Sequence, residues 1–335
     1  MVKKILLIFR KPRYTGNFSI ETSFNQMMNA FPKSSIFKLN TFTSSFLSNG
    51  ILQRWKAIRE VSGQQADLYH ITGDVHYLVL GAIGKKSILT VHDCGFMKDT
   101  SGIKQWILKK FWLDLPVKYA TVVTAVSEMT KQDIIKYTQC PADKIRVIPT
   151  IISNHYQAAK EQANNDKPVL LHIGLAHNKN FERHVEAIAG MDVRMHIIGK
   201  LEEHHVDLLK KHQIDYQAEY NISDEAMQAA YEGCDLLLFA STLEGFGMPI
   251  IEAQTVGRPV VTSNLSSMPE VGGEGVYYVD PYEVESIREG VKKVLGNKDL
   301  QEQLIANGKE NLKRFDADVV AKQYEELYLK ILNHH

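Results

Sequence analysis

Residues 235–253 read DLLLFASTLEGFGMPIIEA and combine three local signals in a fixed order. The apolar run that ends at Ala240 has the length and composition of a buried strand. Gly245 and Gly247 follow it, and glycine permits unusual backbone angles and close approach of a ligand to the main chain. Pro249 is suited to the first turn of a helix, where its missing N–H is not needed. This stretch therefore predicts a strand, a tight loop and a helix.

Two carboxylates flank this loop, Glu244 before the glycines and Glu252 after the proline. The free N–H groups of a helix start favour an anion such as phosphate. We expect Glu252 to fall in the first helical turn, where its carboxylate can accept hydrogen bonds from paired hydroxyls such as those of ribose. Glu244 can reach a second set of hydroxyls. Phosphate donors between two hydroxyl-binding carboxylates suit a nucleotide sugar.

The spacing from Glu244 to Glu252 resembles the E-x7-E motif of the retaining GT-B glycosyltransferases of family 4, the glycosyl transferases group 1. The resemblance continues through GRPVVTS at 257–263 and MPEVGG at 268–273, and it covers most of the chain. An ordered run of this length is far more specific than two glutamates at a given separation. The resemblance implies an α/β protein of GT-B fold, in which two Rossmann-like domains face each other across a cleft.

The composition sets broad limits on the class of protein. The 335 residues include 44% hydrophobic and 23% charged residues, which is ordinary for a soluble globular protein. Lys+Arg and Asp+Glu both number 39, so the zero formal charge argues against bulk electrostatic binding of nucleic acid. Three scattered cysteines suggest a reducing compartment rather than a disulfide framework. No apolar run approaches the length of a membrane span, and a cytoplasmic location is expected.

Apolar strand-like runs alternate with helical patterns in two series, which predicts parallel sheets with helices on both faces. A polar stretch at 164–168 separates the series. We therefore expect an acceptor-side domain over 1–153, a nucleotide-sugar-binding domain over 154–315 and a C-terminal helix over 316–335. In the resembled family this helix often crosses back to the first domain. The expected strands are 5–9, 67–71, 87–91, 121–126 and 144–149 in the first series, and 169–173, 194–198, 235–240 and 258–262 in the second.

A second loop, GLAHNKNF at 174–181, follows an expected strand of the second domain. In the family this loop carries cations that bind the donor diphosphate. Lys179 matches the family's lysine, and a lysine is a natural point-charge ligand for phosphate. Asn178 stands where many members have an arginine, which weakens the clamp on the diphosphate. Arg183, one helical turn later, is the candidate residue that compensates for the missing arginine.

Two segments of the first domain also resemble the family. TVHDCG at 90–95 is similar to the V-H-D segment that faces the donor sugar in the family. His92 is expected to form a hydrogen bond with a sugar hydroxyl or to stabilise charge near the reacting carbon. Cys94 beside it has no second cysteine or histidine at ligand spacing, so no zinc site is expected. The loop that contains Gly16 corresponds to the family's flexible glycine loop near the diphosphate.

The segment KQWILKKFW at 104–112 mixes aromatic residues with lysines. The favoured interpretation is a helix that packs its aromatic side chains inward. The alternative is a helix that lies on a membrane surface or contacts a lipid-linked acceptor. Peripheral contact with the inner face of the membrane is therefore the second option for the location of the protein.

The resemblance implies a retaining hexosyltransferase that moves a sugar from a UDP- or GDP-sugar to a hydroxyl of a saccharide or lipid-linked acceptor, in polysaccharide or glycoconjugate synthesis. No metal and no cofactor are expected beyond the nucleotide-sugar co-substrate, and no nucleic-acid partner. Two alternatives stay open: a sugar-nucleotide epimerase of the same fold, and a non-catalytic sugar-nucleotide-binding protein. The expected catalytic residues are His92, Glu244 and Lys179, and the expected donor-binding residues are Gly16, Asn178, Arg183, Gly245, Phe246, Gly247, Met248 and Glu252.

Overall fold

The computed structural model describes residues 2–12, 19–32, 35–98, 100–161 and 165–333. The chain divides into two compact units. The first unit comprises Met1–Ile151 together with Phe315–His335, and the second comprises Ile152–Arg314. Gly16 and the rest of the loop at 13–18 lie outside the described residues, as do the terminal histidines.

The first unit is built on a six-stranded parallel sheet in the order β2-β1-β3-β4-β5-β6. Its central strands are apolar and buried on both faces, as expected where helices cover a parallel sheet on both sides. The strands are β1 Lys3–Phe9, β2 Phe37–Thr43, β3 Leu68–Ile71, β4 Ser87–Val91, β5 Val122–Ala125 and β6 Ile145–Val147. The helices are α1 Ser19–Asn29, α2 Gly50–Ser62, α3 Gly102–Leu108, α4 Leu115–Tyr119 and α5 Glu128–Thr138, with a π-helical stretch Lys109–Asp114 between α3 and α4.

The second unit contains another six-stranded parallel sheet, in the order β12-β11-β10-β7-β8-β9. The order reverses between β7 and β10, and ligands of doubly wound sheets bind at such a switch point, beyond the carboxyl ends of the strands. The strands are β7 Val169–Ile173, β8 Arg194–Ile198, β9 Asp215–Glu219, β10 Leu236–Phe239, β11 Val260–Ser263 and β12 Tyr277–Val279. The helices are α6 Phe181–Ile188, α7 Glu203–Lys211, α8 Asp224–Gly233, α9 Met248–Val256, α10 Met268–Gly272, α11 Val284–Leu295 and α12 Lys298–Leu312.

The C-terminal helix α13, Ala317–Asn333, belongs to the first unit, so its expected return to that domain is confirmed. Val320, Tyr324 and Tyr328 are buried in one apolar cluster with Ile5 and Leu7 of β1. The hydroxyl of Tyr328 also lies 2.8 Å from Nδ1 of the buried His70 on β3. Apolar burial and this buried polar contact together hold the helix on the sheet.

All the expected strands are present within a few residues, but three further strands were not predicted. These are β2, β9 and β12, and all three lie at sheet edges. Because an edge strand exposes part of its surface, its sequence is less apolar; β9 has no buried residue among its five. The terminal helix begins at Ala317, one residue later than expected, and a short 3-10 turn, Lys313–Phe315, precedes it.

The expectation that the segment 104–112 packs its aromatic side chains inward is wrong for two of its three aromatic residues. Trp106 is 63% exposed and Phe111 is 44% exposed, and α3 contributes no buried residue. Trp112 alone follows the expectation, since its ring lies 5.1 Å from Tyr77 and its indole N–H donates to the carbonyl of Asp74. Among the described residues, no helix is both long enough and apolar enough to cross a membrane.

Candidate active site

The switch point of the second sheet brings together the two loops that the sequence singled out. The loop after β7 runs into a 3-10 turn, His177–Lys179, and the loop after β10 runs into α9. The backbone N–H of Thr242 donates to the carbonyl of Asn178 over 2.8 Å, and the side-chain amide of Asn178 donates to the carbonyl of Leu243 over 2.7 Å. These bonds fasten the two loops to each other.

Lys179 and Glu244 form an ion pair between these loops. Lys179 Nζ lies 2.7 Å from Glu244 Oε1, and the two side chains are 20% and 13% exposed. The ammonium group also lies 4.8 Å from the centre of the Phe239 ring, in cation–π range. Gly174, at φ +84°, lets the lysine fold across the loop, since a Cβ there would approach Lys179 Cε to 3.2 Å. A partly buried cation is thus held at the carboxyl ends of β7 and β10.

Asn180 anchors the start of α6 from a left-handed backbone conformation, at φ 60°. Its buried side-chain amide donates to the carbonyls of Ala240 (3.0 Å) and Pro281 (2.7 Å), and its amide oxygen accepts from Arg183 Nη1. The Arg183 guanidinium also lies 5.5 Å from the ring centre of Tyr282. Arg183 is therefore positioned by Asn180 at this end of the sheet.

The main chain around Glu244 is held by two serines that the sequence reasoning did not single out. The hydroxyl of Ser266 accepts from the N–H of Glu244 and lies 2.8 Å from its carbonyl oxygen. The hydroxyl of Ser267 donates to the carbonyl of Phe246 over 2.6 Å. Gly247, the N-cap residue just before α9, has φ 112°, a conformation that favours glycine. The loop of Gly245, Phe246, Gly247 and Met248 is thereby shaped by contacts with the turn before α10.

Glu252 lies one helical turn further along α9 than expected. Helix α9 begins at Met248 with Pro249 in its first turn as predicted, so Glu252 is the fifth helical residue and not part of the first turn. Its Oε2 accepts a 2.6 Å hydrogen bond from the hydroxyl of Tyr231 on α8. Burial raises the pKa of Glu252 from 4.5 to about 7, although the bond from Tyr231 and the charge of Lys179 oppose the shift. Tyr156 packs edge-to-face on Tyr231, with ring centres 5.5 Å apart.

His92 lies in the first unit, at the carboxyl end of β4. Its Nε2 lies 2.8 Å from the carbonyl oxygen of Thr72, so Nε2 carries the proton. Burial lowers the pKa of His92, which favours the neutral ring with Nδ1 as an acceptor. Gly73 permits this packing, because a Cβ there would lie 3.0 Å from the ring.

The structure thus gathers Asn178, Lys179 and Glu244 at one switch point, with Arg183 and Glu252 held by partners in the same unit. The sequence reasoning missed Tyr231, Asn180 and the serines at 266 and 267. Asn180 lies within the recognised loop 174–181, and the serines directly precede the recognised segment 268–273, so these positions were the available signal. Tyr231 precedes Glu252 by 21 residues, and no local pattern marks it as a partner.

Two family models match consecutive parts of the chain. Residues 154–311 match the model of glycosyl transferases group 1, and residues 32–154 match the model of glycosyltransferase family 4. The chain belongs to the group 1 glycosyltransferases of GT-B fold. The predicted membership of the group 1 glycosyltransferases is therefore confirmed. The stereochemistry of transfer stays a prediction.

Several relatives resemble this group 1 glycosyltransferase in sequence. It is 25% identical over 214 residues to the serotype-specific mannosyltransferase WbdA of Escherichia coli, a match that covers 56% of this chain and 26% of WbdA. It is 26% identical over 235 residues to the capsular polysaccharide biosynthesis glycosyltransferase CapM of Staphylococcus aureus, covering 62% of this chain and 61% of CapM. The chain therefore spans less than two thirds of the length of either relative.

Solved structures establish the fold of this group 1 glycosyltransferase. Anabaena Alr3699/HepE, in complex with UDP and glucose, superposes with a TM-score of 0.79 at 17% identity over 98% of this chain and 100% of that chain. WaaG, a glycosyltransferase involved in lipopolysaccharide biosynthesis, gives a TM-score of 0.69 at 14% identity over 97% of this chain and 99% of that chain. At these sequence identities the structural similarity is evidence for the fold alone. The predicted GT-B fold is confirmed.

Proposed function

We propose that this protein transfers a sugar from a nucleoside-diphosphate sugar to an acceptor hydroxyl, with retention of anomeric configuration. The observation that carries the proposal is the Lys179–Glu244 pair at the switch point of the second sheet, with Glu252 on the adjoining helix. This arrangement supplies a cation for the diphosphate and carboxylates for hydroxyls within one unit. The relatives named as a mannosyltransferase and a capsular polysaccharide glycosyltransferase support an acceptor that is a growing saccharide.

In this proposal the acceptor oxygen bonds to the anomeric carbon while the bond from that carbon to the diphosphate oxygen breaks. The acceptor proton passes to the leaving phosphate, which carries the electron pair of the broken bond. Lys179 stabilises the negative charge that develops on the diphosphate, and such preorganised charge is among the largest contributions to catalysis. The chemistry therefore depends mainly on positioning and charge.

The remaining residues hold the donor. Glu244 accepts hydrogen bonds from hydroxyls of the donor sugar, and Glu252 accepts them from the ribose. His92, neutral and protonated on Nε2, offers Nδ1 as an acceptor for a hydroxyl of the donor sugar. The proposal that the configuration is retained rests on the family resemblance alone. No residue pattern in this chain indicates the stereochemistry. The proposed donor is a UDP- or GDP-sugar, and the UDP and glucose in the HepE structure support the first of these.

Calorimetry on the Glu252→Ala variant tests the donor site. A thermal-shift screen against UDP-, GDP- and ADP-sugars first selects the nucleotide, because a ligand of the native state raises its stability. Loss of the ribose contact should then weaken binding of that nucleotide about tenfold or more. Glu289→Ala, which removes an exposed carboxylate on α11, is the matched control. Unchanged affinity in the Glu252 variant would overturn the assignment.

Incubation of the selected donor with and without acceptor separates the alternatives. A transferase needs the acceptor to give a new glycoside, whereas an epimerase converts the donor alone. Binding without turnover across a broad panel of saccharide and lipid-linked acceptors would indicate a non-catalytic sugar-nucleotide-binding protein. NMR of the product glycoside reports whether the anomeric configuration of the donor is retained.

A further inference from the structure

Two buried histidines bracket the loop that carries Lys179. His172 is the fourth residue of β7, and His184 lies on α6 at the other end of the loop. The two residues are 1% and 0% exposed. Their Nδ1 atoms lie 3.0 Å apart, and their rings meet edge to face with centres 5.0 Å apart. Because a buried polar ring costs free energy unless it is hydrogen-bonded, this contact constrains where each ring carries its proton.

The partners of His172 determine the tautomer of both rings. Nε2 of His172 lies 2.8 Å from the carbonyl oxygen of Gly174, which can only accept, so this nitrogen carries the proton. Burial lowers the pKa of both histidines, so each ring is neutral and carries one proton. Nδ1 of His172 is then an acceptor, and Nδ1 of His184 donates to it. The hydrogen-bond chain therefore runs from His184 through His172 to the carbonyl of Gly174.

Gly174, at the end of this chain, lies directly against the side chain of Lys179. A Cβ on Gly174 would lie 3.2 Å from both Cγ and Cε of the lysine, so the aliphatic part of the lysine passes over this glycine. The N–H of Gly174 donates to the carbonyl of Ile198 over 2.8 Å, so the glycine is held on both sides. The charge of Lys179 also reaches His172, whose pKa it lowers in addition to the effect of burial. The placement of Gly174 therefore sets the path of the lysine toward Nζ.

We propose that His172 is a positioning residue for the cation that binds the donor diphosphate, and that His184 fixes the tautomer in which it acts. His172 holds the carbonyl of Gly174, and Gly174 supports the side chain of Lys179 where the diphosphate binds. Neither histidine needs to touch the substrate. A small displacement of a binding group is costly, because catalysis depends on its geometry. The inference rests on the proposed function, since it presupposes that Lys179 binds the diphosphate.

A double-mutant cycle on the full chain tests the proposal. The probe is UDP or GDP, whichever raises the thermal stability of wild type more, and calorimetry measures its affinity. His172→Phe keeps an aromatic ring in the core but removes the donor to Gly174, and it should weaken binding of the nucleoside diphosphate about fivefold. In the Lys179→Gln background the same change should have almost no further effect on affinity, because His172 acts through the lysine.

Three further variants separate positioning from a loss of stability. His172→Gln retains an N–H donor for Gly174, and its affinity should lie within about threefold of wild type. His184→Phe removes the donor to His172 and should also weaken binding, less than additively with His172→Phe. His196→Phe is the matched control, because His196 is buried on β8 of the same sheet and its Nε2 lies 2.8 Å from Glu219 Oε1. Urea unfolding should show that the control loses stability, and calorimetry should show that it keeps the nucleotide affinity of wild type.

The outcomes distinguish failure of this inference from failure of the proposed function. If wild type binds neither UDP nor GDP, or if Lys179→Gln leaves the affinity unchanged, the proposed function fails and the inference fails with it.

The inference alone fails if Lys179→Gln weakens binding while folded His172→Phe binds as wild type does. It also fails if the loss in His172→Phe is as large in the Lys179→Gln background, or if His196→Phe reproduces that loss. Should His172→Phe not fold, the cycle of His184→Phe with Lys179→Gln gives the same decision.

Discussion

The ammonium nitrogen of Lys179 lies 2.7 Å from Oε1 of Glu244, so the cation proposed to bind the diphosphate and the carboxylate proposed to bind the sugar neutralise each other. The residues are 65 positions apart in the chain and meet because β7 and β10 are neighbours in the sheet. A pair with this little exposure is coupled, and removal of one partner leaves the other partly buried without a counter-charge. Each member therefore sets the charge environment of the other.

Lys179→Gln should weaken binding of a nucleoside diphosphate about tenfold or more, because a charge-assisted bond to phosphate is lost. Glu244→Gln should leave that affinity within about threefold and lower the rate of transfer instead, since its contact is with the sugar. Calorimetry and initial-rate measurements check the two expectations. Lys211→Gln, at an exposed lysine at the end of α7, is the charge-matched control. Equal loss of nucleotide affinity in both test variants would contradict separate roles for the pair.

The stability of the protein should carry a pH dependence that originates at Glu252. Its pKa is raised in the folded state from 4.5 to about 7, so the folded state binds the proton more tightly than the unfolded state. The resulting stabilisation is fully present below pH 4.5 and is lost as the pH rises toward about 7. Glu252→Gln removes this contribution. As the pH rises through this range, the free energy of unfolding of wild type should therefore fall relative to that of the variant. Urea unfolding at a series of pH values measures the difference, and Glu289→Gln should show no such trend.

Tyr231→Phe should shift the pH dependence of nucleotide binding upward. The hydroxyl of Tyr231 donates to Glu252 and holds down the pKa of that carboxyl group, which burial raises. Without this bond the pKa of Glu252 rises further, and a higher pH is needed to ionise the carboxylate that accepts the ribose hydroxyls. Calorimetry over a pH series locates the midpoint. Tyr156→Phe, whose ring contacts Tyr231, is the control, and a uniform loss of affinity with an unmoved midpoint would indicate packing alone.

Asn180 should contribute to stability through both its side chain and its backbone. Asn180→Gly keeps the left-handed backbone accessible but removes donors to two buried carbonyls, which should cost about 1–3 kcal/mol. Asn180→Ala should cost roughly 1 kcal/mol more, because a Cβ disfavours this conformation. Asn221, exposed at φ 56°, offers a matched pair of Gly and Ala variants in which only the backbone effect is expected. Urea unfolding measures all four, and equal costs at both sites would contradict the role of the buried amide.

Transfer activity should persist in excess EDTA. In the proposed mechanism Lys179 stabilises the leaving diphosphate, so no divalent cation is needed for that charge. Product formation before and after chelation, and again after addition of Mg²⁺ or Mn²⁺, is the measurement. Complete loss that a metal restores would contradict a metal-independent reaction.

Local sequence was sufficient to predict the elements around the site. An apolar run, two glycines and a proline specify strand, loop and helix through interactions between near neighbours, and β10 and α9 appear where they were expected. The start of α8 is specified locally in the same way, since the hydroxyl of Ser223 accepts from the N–H of Ala226. The edge strand β9 lacks such a signal, because it is held by pairing with β8 rather than specified by its own apolar pattern.

The sequence by itself determined the class of fold, the family and the side chains that carry charge at the donor site. Only the tertiary structure decided which of them meet: Lys179 with Glu244, Tyr231 with Glu252, and Asn180 with two carbonyls of distant loops. It also decided that Trp106 and Phe111 face solvent, against the expectation from their hydrophobicity. Local propensity acts over one or two turns of chain, whereas the pairing and burial of a side chain depend on which distant strand or helix packs beside it.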